Sequence, residues 1–184
     1  TISPPSPVVI PAGNTSTTIT IAMKEDTLYE SDETVIVALG TPTNATLATP
    51  ATYTFTIKDD DQEPSVSWNP AESNLSEPEG TQGSGTQTRQ VTYTMVLSAA
   101  SGLPVSVPIM YTGTATFGTD YTGPATVMFQ PGETSTNVVL EIVKDLVPEP
   151  GPAETITMTI NSGGVTNATP QMPLVRAYSI QDDD

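Results

Sequence analysis

The sequence predicts an all-β protein in which one complete seven-stranded sandwich is preceded by the second half of another. Three observations carry this expectation. Apolar residues alternate with polar ones along nearly the whole chain instead of following the helical period of about 3.6. β-Branched residues dominate these runs, and Gly or Pro punctuates them. The end of the chain also repeats its beginning, so that residues 8–61 and 127–184 are two copies of one pattern.

The elements follow in order. Residues 16–23, 34–39 and 53–58 are expected strands of the first part. A first strand of the second part is expected near 65–68, followed by strands at 91–98, 105–112, 126–129, 136–143, 155–160 and 175–181. No segment carries a convincing amphipathic helix. "VVIPAGNTSTTITI" aligns with "VMFQPGETSTNVVL", each placing a Gly turn before a Thr/Ser entry to the next strand. "EDTLYESDET" aligns with "KDLVPEPGPAET", the four-residue "TNAT" occurs at 43–46 and again at 166–169, and "FTIKDDD" aligns with "YSIQDDD". The expected domains are therefore 1–61, a C-terminal half, and 62–184, a complete domain. Their join, "DDDQEP", is too short to act as a floppy linker.

Charge narrows the function. The chain has 21 Asp and Glu against 5 Lys and Arg, a formal net charge of −16, which argues against nucleic acid or an anionic membrane surface as partner. There is no Cys and no His, so thiol nucleophiles, imidazole bases and the usual zinc ligands are excluded and hard oxygen ligands remain. Nothing resembles a signal peptide or a run of about 18 apolar residues, so no membrane insertion is expected and any export signal lies outside this stretch. The Thr-rich, Cys-free, acidic composition points to an extracellular or cell-surface location.

The carboxylates are not scattered. If successive strands of the complete domain alternate in direction, every second connection shares one tip. That tip collects Glu79, Asp120, Asp145, Glu149, Glu154, Asp182, Asp183 and Asp184. The first copy repeats the bias with Glu25, Asp26, Glu30, Asp32 and Glu33 in one loop and Asp59, Asp60 and Asp61 after its last strand. Sixteen of the 21 acidic residues thus fall into two groups, which a merely solvated rim does not require. Crowded carboxylates repel, by about 1 kcal/mol at roughly 4 Å even in water, and a cation between them relieves this. Ca²⁺ takes about 6–8 oxygen ligands in flexible geometry, whereas Mg²⁺ demands near-ideal octahedra, so such a cup favours several Ca²⁺ ions. Glu63, Glu77 and Glu133 read as ordinary surface acids.

These segments resemble the signature of the Calx-β domain: "GTDYTGPATVMFQPGETS" at 118–135, "EDTLYESDETVIV" at 25–37, "NATL" at 44–47 and the closing "IKDDD" and "IQDDD". The resemblance implies an immunoglobulin-like Greek-key β-sandwich that binds several Ca²⁺ ions at one tip, near the next domain. It implies ligand roles for Glu79, Asp120, Asp145, Glu149, Glu154, Asp182, Asp183 and Asp184, and for Asp26, Glu30, Glu33, Asp59, Asp60 and Asp61. Two departures matter. Lys144 stands where the family usually has a leading acid, and "PEPGPAE" is two residues longer and loses the acid matching Asp32, so fewer or weaker ions are expected in the complete domain. The first copy lacks the loops that should supply a further Glu and Asp.

The functional expectation is a non-enzymatic, Ca²⁺-binding module of an extracellular adhesin, surface array or filament, with ions stiffening the interdomain joint. The alternative is an intracellular Ca²⁺-sensing domain pair, separated from the first by affinity. Glycoside hydrolysis by a carboxylate pair is disfavoured, because the acids crowd a tip instead of flanking a cleft and no stacking aromatics accompany them. The expected partners are neighbouring domains of the same chain or neighbouring subunits. An unclosed half-sandwich exposes apolar faces and edges, so it is either the remainder of a tandem array or is completed by strand donation from another molecule. The N-x-[ST] triplets at Asn14, Asn44, Asn74 and Asn167 read as chance in a Thr/Ser-rich chain. Trp68, Tyr93, Met95 and Tyr111 read as core, and "GTQGSGTQ" at 80–87 as a flexible loop without the lysine of a phosphate cradle.

Overall fold

Alternation decides which side chains meet. The computed structural model describes residues 2–3, 6–78, 87–144 and 151–181. Its strands are β1 (Ile2–Ser3), β2 (Thr20–Ile21), β3 (Glu33–Ala38), β4 (Thr52–Ile57), β5 (Ser65–Trp68), β6 (Leu75–Pro78), β7 (Gln87–Leu97), β8 (Val105–Gly113), β9 (Tyr121–Thr122), β10 (Thr126–Phe129), β11 (Ser135–Lys144), β12 (Glu154–Ile160), β13 (Thr169–Pro170) and β14 (Val175–Gln181). Along β11, Val138, Leu140 and Ile142 are fully buried while the residues between them face outward. β5, β7, β8, β12 and β14 alternate in the same way, and their inward residues meet in one core around Trp68, Tyr93, Phe129 and Tyr178.

Two five-stranded sheets enclose that core, in the orders β13-β5-β7-β11-β9 and β10-β8-β12-β14-β6. The chain crosses between sheets from β7 to β8, from β10 to β11 and from β11 to β12, as expected for an immunoglobulin-like Greek-key sandwich. The strand list departs from the sequence expectation at the start of the sandwich. The first strand is split: β5 pairs with β7, whereas β6 runs parallel to β14 in the opposite sheet. Polar side chains pin the crossover. Glu72 accepts hydrogen bonds from Asn69 Nδ2 (3.3 Å) and the Thr94 amide (2.9 Å). The Tyr93 hydroxyl accepts from the Leu75 amide (3.2 Å) and donates to the Ala177 carbonyl (2.9 Å). Buried Arg176 donates to the Asn69 carbonyl.

The first part forms two small sheets, β1-β2 and β3-β4. The β3–β4 register is that of β12–β14: Glu33 faces Ile57 as Glu154 faces Ile180, and Val35 faces Phe55 as Ile156 faces Tyr178. The internal repeat is therefore a repeat of backbone pairing. It also explains "TNAT", since Asn44 and Asn167 both adopt φ 59°, the left-handed region that Asn tolerates. Of residues 6–61 none is buried; Val9 is 66% exposed, Ile36 64% and Tyr53 71%. The strand expected at 16–23 pairs only at Thr20–Ile21. Its counterpart β11 is held by ten paired residues of β7, whereas among the described residues β2 pairs only with the two residues of β1.

Candidate metal centre at the joint

Pairing places the acids. Glu33 opens β3 opposite Ile57 near the end of β4, so the loop before β3 and the triplet after β4 leave from one tip. The two segments are stitched by their own carboxylates. Asp59 Oδ2 accepts the Glu30 amide (3.0 Å), Asp32 Oδ1 accepts the Asp59 amide (3.1 Å), and Asp26 Oδ1 accepts the Leu28 amide (3.1 Å). Withdrawal from water, then repulsion from Asp59, Asp60 and Asp26, pushes the Asp61 carboxyl above its ordinary value. Asp26, Asp59, Asp60 and Asp61 are thus brought within electrostatic reach of one another, with Asp32, which belonged to the acidic group but not to the expected ligands, while Glu30 joins them through its amide and lays its side chain on Gly102. Glu33 lies at the edge of this tip, exposed. The donors are all hard oxygens and suit Ca²⁺. Among the described residues no three acids are already drawn together as a cation shell.

This cluster sits at the joint with the sandwich. The Tyr29 carbonyl accepts hydrogen bonds from the Gly102 amide (3.0 Å) and Ser101 Oγ (3.4 Å). Ser101 is 1% exposed, and its carbonyl accepts the Gly132 amide (2.8 Å), which ties the β7–β8 and β10–β11 turns together beneath the contact. Glu30 lies flat on Gly102: a Cβ there would stand 2.6 Å from Glu30 Cγ. Sequence reasoning missed Tyr29, Ser101 and Gly102, for no spacing or composition marks a turn that only folding brings to an acidic loop. A recess of about 590 Å³ beside the linker is lined by Gln62, Glu63, Ser98 and Gln171 among others; it holds one carboxylate, so it offers no acid pair.

At the far tip of the sandwich, β6 and β14 end together at Pro78 and Gln181, β11 ends against the start of β7, and β12 begins at Glu154. Asp120 is brought there, its carbonyl accepting the Val143 amide (2.8 Å). Its carboxylate closes a local turn, with Oδ2 accepting the Thr116 amide (2.6 Å), and Gly118 at φ +89° lets the backbone reverse inside it. Glu154 points inward in phase with Ile156 and Met158, with Oε2 buried. Glu79, Asp145, Glu149, Asp182, Asp183 and Asp184 lie outside the described residues.

Comparisons agree on the architecture. Among solved structures, the apo-form Calx CBD1 domain aligns with TM-score 0.51 and 21% identity, covering 67% of this chain and all of that one. CBD12 from CALX1.2 aligns with TM-score 0.49 and 21% identity over 65% of this chain and 45% of that one. No curated protein sequence matches. The family model for the Calx-beta domain matches residues 4–61 and 75–184, nearly the whole length, and the chain belongs to the Calx-beta domain family.

Proposed function

We propose that this chain is a non-enzymatic, Ca²⁺-binding module of an extracellular adhesin, surface array or filament, in which Ca²⁺ at the acidic joint holds two successive domains in one orientation. The observation that carries it is the coincidence of Asp26, Glu30, Asp59, Asp60 and Asp61 with the Tyr29–Gly102 contact. Without a cation the like charges oppose the approach of the loop and the triplet; withdrawal from water, and after it repulsion from Asp59, Asp60 and Asp26, pushes the Asp61 carboxyl up. When bound, Ca²⁺ supplies the positive charge that turns this repulsion into shared ligation. Glu30 then links the site to the next domain, through its side chain on Gly102 and its neighbour's carbonyl on the Gly102 amide.

Calorimetric titration of the full chain with Ca²⁺ tests this reading. Binding is expected to weaken at least about tenfold in Asp59→Asn/Asp61→Asn, since two charged ligands are removed. Equal binding by the variant and the parent would rule the joint out as the site. Affinity also separates the two settings: an extracellular strut needs only about 10⁻⁴–10⁻³ M, a sensor about 10⁻⁷–10⁻⁵ M.

A further inference from the structure

The recess beside the linker has no part in calcium binding. It lies where β5 and β13 begin and β7 ends, at the joint end of one sheet. Backbone pairing sets its walls. The Thr169 amide donates to the Pro64 carbonyl (2.8 Å), the Gln171 amide to the Val66 carbonyl (2.8 Å) and the Ser98 amide to the Ser65 carbonyl (2.9 Å). Buried Pro64 thereby anchors the half-buried Glu63 beside it. Two further hydrogen bonds orient the polar lining. Ser98 Oγ accepts the Ser65 amide (2.9 Å), so its hydroxyl proton is left for another acceptor. Gln171 Oε1 accepts from Ser65 Oγ, which leaves the two Nε2 protons to donate.

This lining excludes several ligand classes. Among the described residues no Lys or Arg lines the recess, so a phosphate or carboxylate finds no counter-charge there. Its apolar groups are Ala99 and Pro170, too small to bury an aromatic or acyl ligand. Glu63 is its one carboxylate, too few for a divalent cation. What remains is a set of carboxamides, hydroxyls and one carboxylate on a fixed frame. A carboxylate or carboxamide can span two adjacent hydroxyl groups with a pair of hydrogen bonds.

We propose that this recess binds a neutral saccharide. Glu63 accepts from a pair of neighbouring sugar hydroxyls, Gln171 Nε2 and the Ser98 hydroxyl donate to sugar oxygens, Gln62 adds a second carboxamide from the linker, and Ala99 and Pro170 cover part of the C–H face. The volume of about 590 Å³ lies within the range of about 300–1,000 Å³ usual for small-molecule sites. Each hydrogen bond to the sugar replaces one to water, and no aromatic platform adds to them, so binding is weak, in the millimolar range. The site goes beyond the calcium reading and does not depend on it, because strands of the sandwich and the Pro64 anchor build its walls.

The test is NMR titration of the isotope-labelled full chain with maltotriose, mannotriose, globotriose and triacetylchitotriose, and with inorganic phosphate and lysine as the competing classes. At least one trisaccharide is expected to shift the amides of Ser98, Ala99, Thr169 and Gln171 in a saturable way, while those of Arg89 and Ile142, paired at the other end of the sheet, stay in place. Glu63→Ala/Gln171→Ala is expected to weaken that binding about tenfold, since the hydrogen bonds of two side chains are lost. Its amide spectrum away from the recess should match that of the parent, which shows the fold intact. If losing Gln171 disturbs Ser65, Glu63→Ala alone, a change outside any strand, is expected to weaken binding about threefold. No shift of these amides by any of the trisaccharides would overturn the proposal, as would equal binding by parent and variants, or saturation of the same amides by phosphate or lysine in place of sugar.

Discussion

Gly102→Ala perturbs the joint without touching the core. The new Cβ would lie 2.6 Å from Glu30 Cγ and 2.9 Å from Cδ, where carbon atoms rest comfortably at about 3.5–4.0 Å. Glu30 must therefore move by roughly 1 Å, either by rotating its exposed side chain or by lifting the loop. Lifting the loop strains the hydrogen bonds from the Gly102 amide and Ser101 Oγ to the Tyr29 carbonyl, each worth about 0.5–1.5 kcal/mol net. We expect the closed joint to lose about 1 kcal/mol, a shift of about fivefold in its closed-to-open ratio. Gly102 is not itself part of the sandwich core, whose melting temperature should stay within about 2 °C, since alanine also trims unfolded-state entropy by a comparable small amount. The assay is amide exchange at residue 102, together with distances between spin labels at Thr41→Cys and Thr92→Cys, which are unique because the chain has no cysteine. Gly40→Ala is the control, since a Cβ there meets nothing within 4 Å. Exchange and distance distributions identical in the two glycine variants would show that Gly102 does not seat the joint.

Two further outcomes follow from the same geometry. Tyr93→Phe keeps the buried ring but removes the hydroxyl that serves the Leu75 amide and the Ala177 carbonyl; a loss of about 1–3 kcal/mol in urea unfolding is expected, and a loss under about 0.5 kcal/mol would mean that water or a neighbour replaces it. In chelator, Asp61 carries a pH dependence of known sign. Its folded value lies above 3.8, so the folded form holds its proton more tightly and joint stability falls as pH rises from 3.8 through that higher value; Asp61→Asn should flatten this part of the profile, and an unchanged slope would assign it elsewhere.

How much of this was legible in the sequence depends on the physics behind each element. Strands that bury one face wrote their alternation plainly: Val138, Leu140 and Ile142 were readable as one face of a strand before any fold was known. β6 was not, because "LSEP" is short and polar and is held by backbone pairing to β14, which leaves no apolar pattern. The strand expected at 16–23 shows the converse, a clear alternation whose described partner, β1, is two residues long, so that a ladder forms only at Thr20–Ile21. The joint acids were legible because a charged loop and a charged triplet both flank paired strands. Lys144 was half legible: it stood out as a cation among acids, but only the burial pattern of β11 shows that it shares the inward phase of Leu140 and Ile142. The Tyr29–Gly102 contact left no mark in the sequence, since it joins segments more than seventy residues apart through backbone atoms.

If Ca²⁺ at the Asp26–Asp61 cluster fixes the joint, its removal must free the two domains to move. The most direct measurement is the distance distribution between labels at Thr41→Cys and Thr92→Cys, recorded with Ca²⁺ and with chelator. A narrow distribution is expected with Ca²⁺ that broadens in chelator, with no such change in Asp59→Asn/Asp61→Asn. A distribution that is the same with Ca²⁺ and with chelator in the parent chain would contradict it.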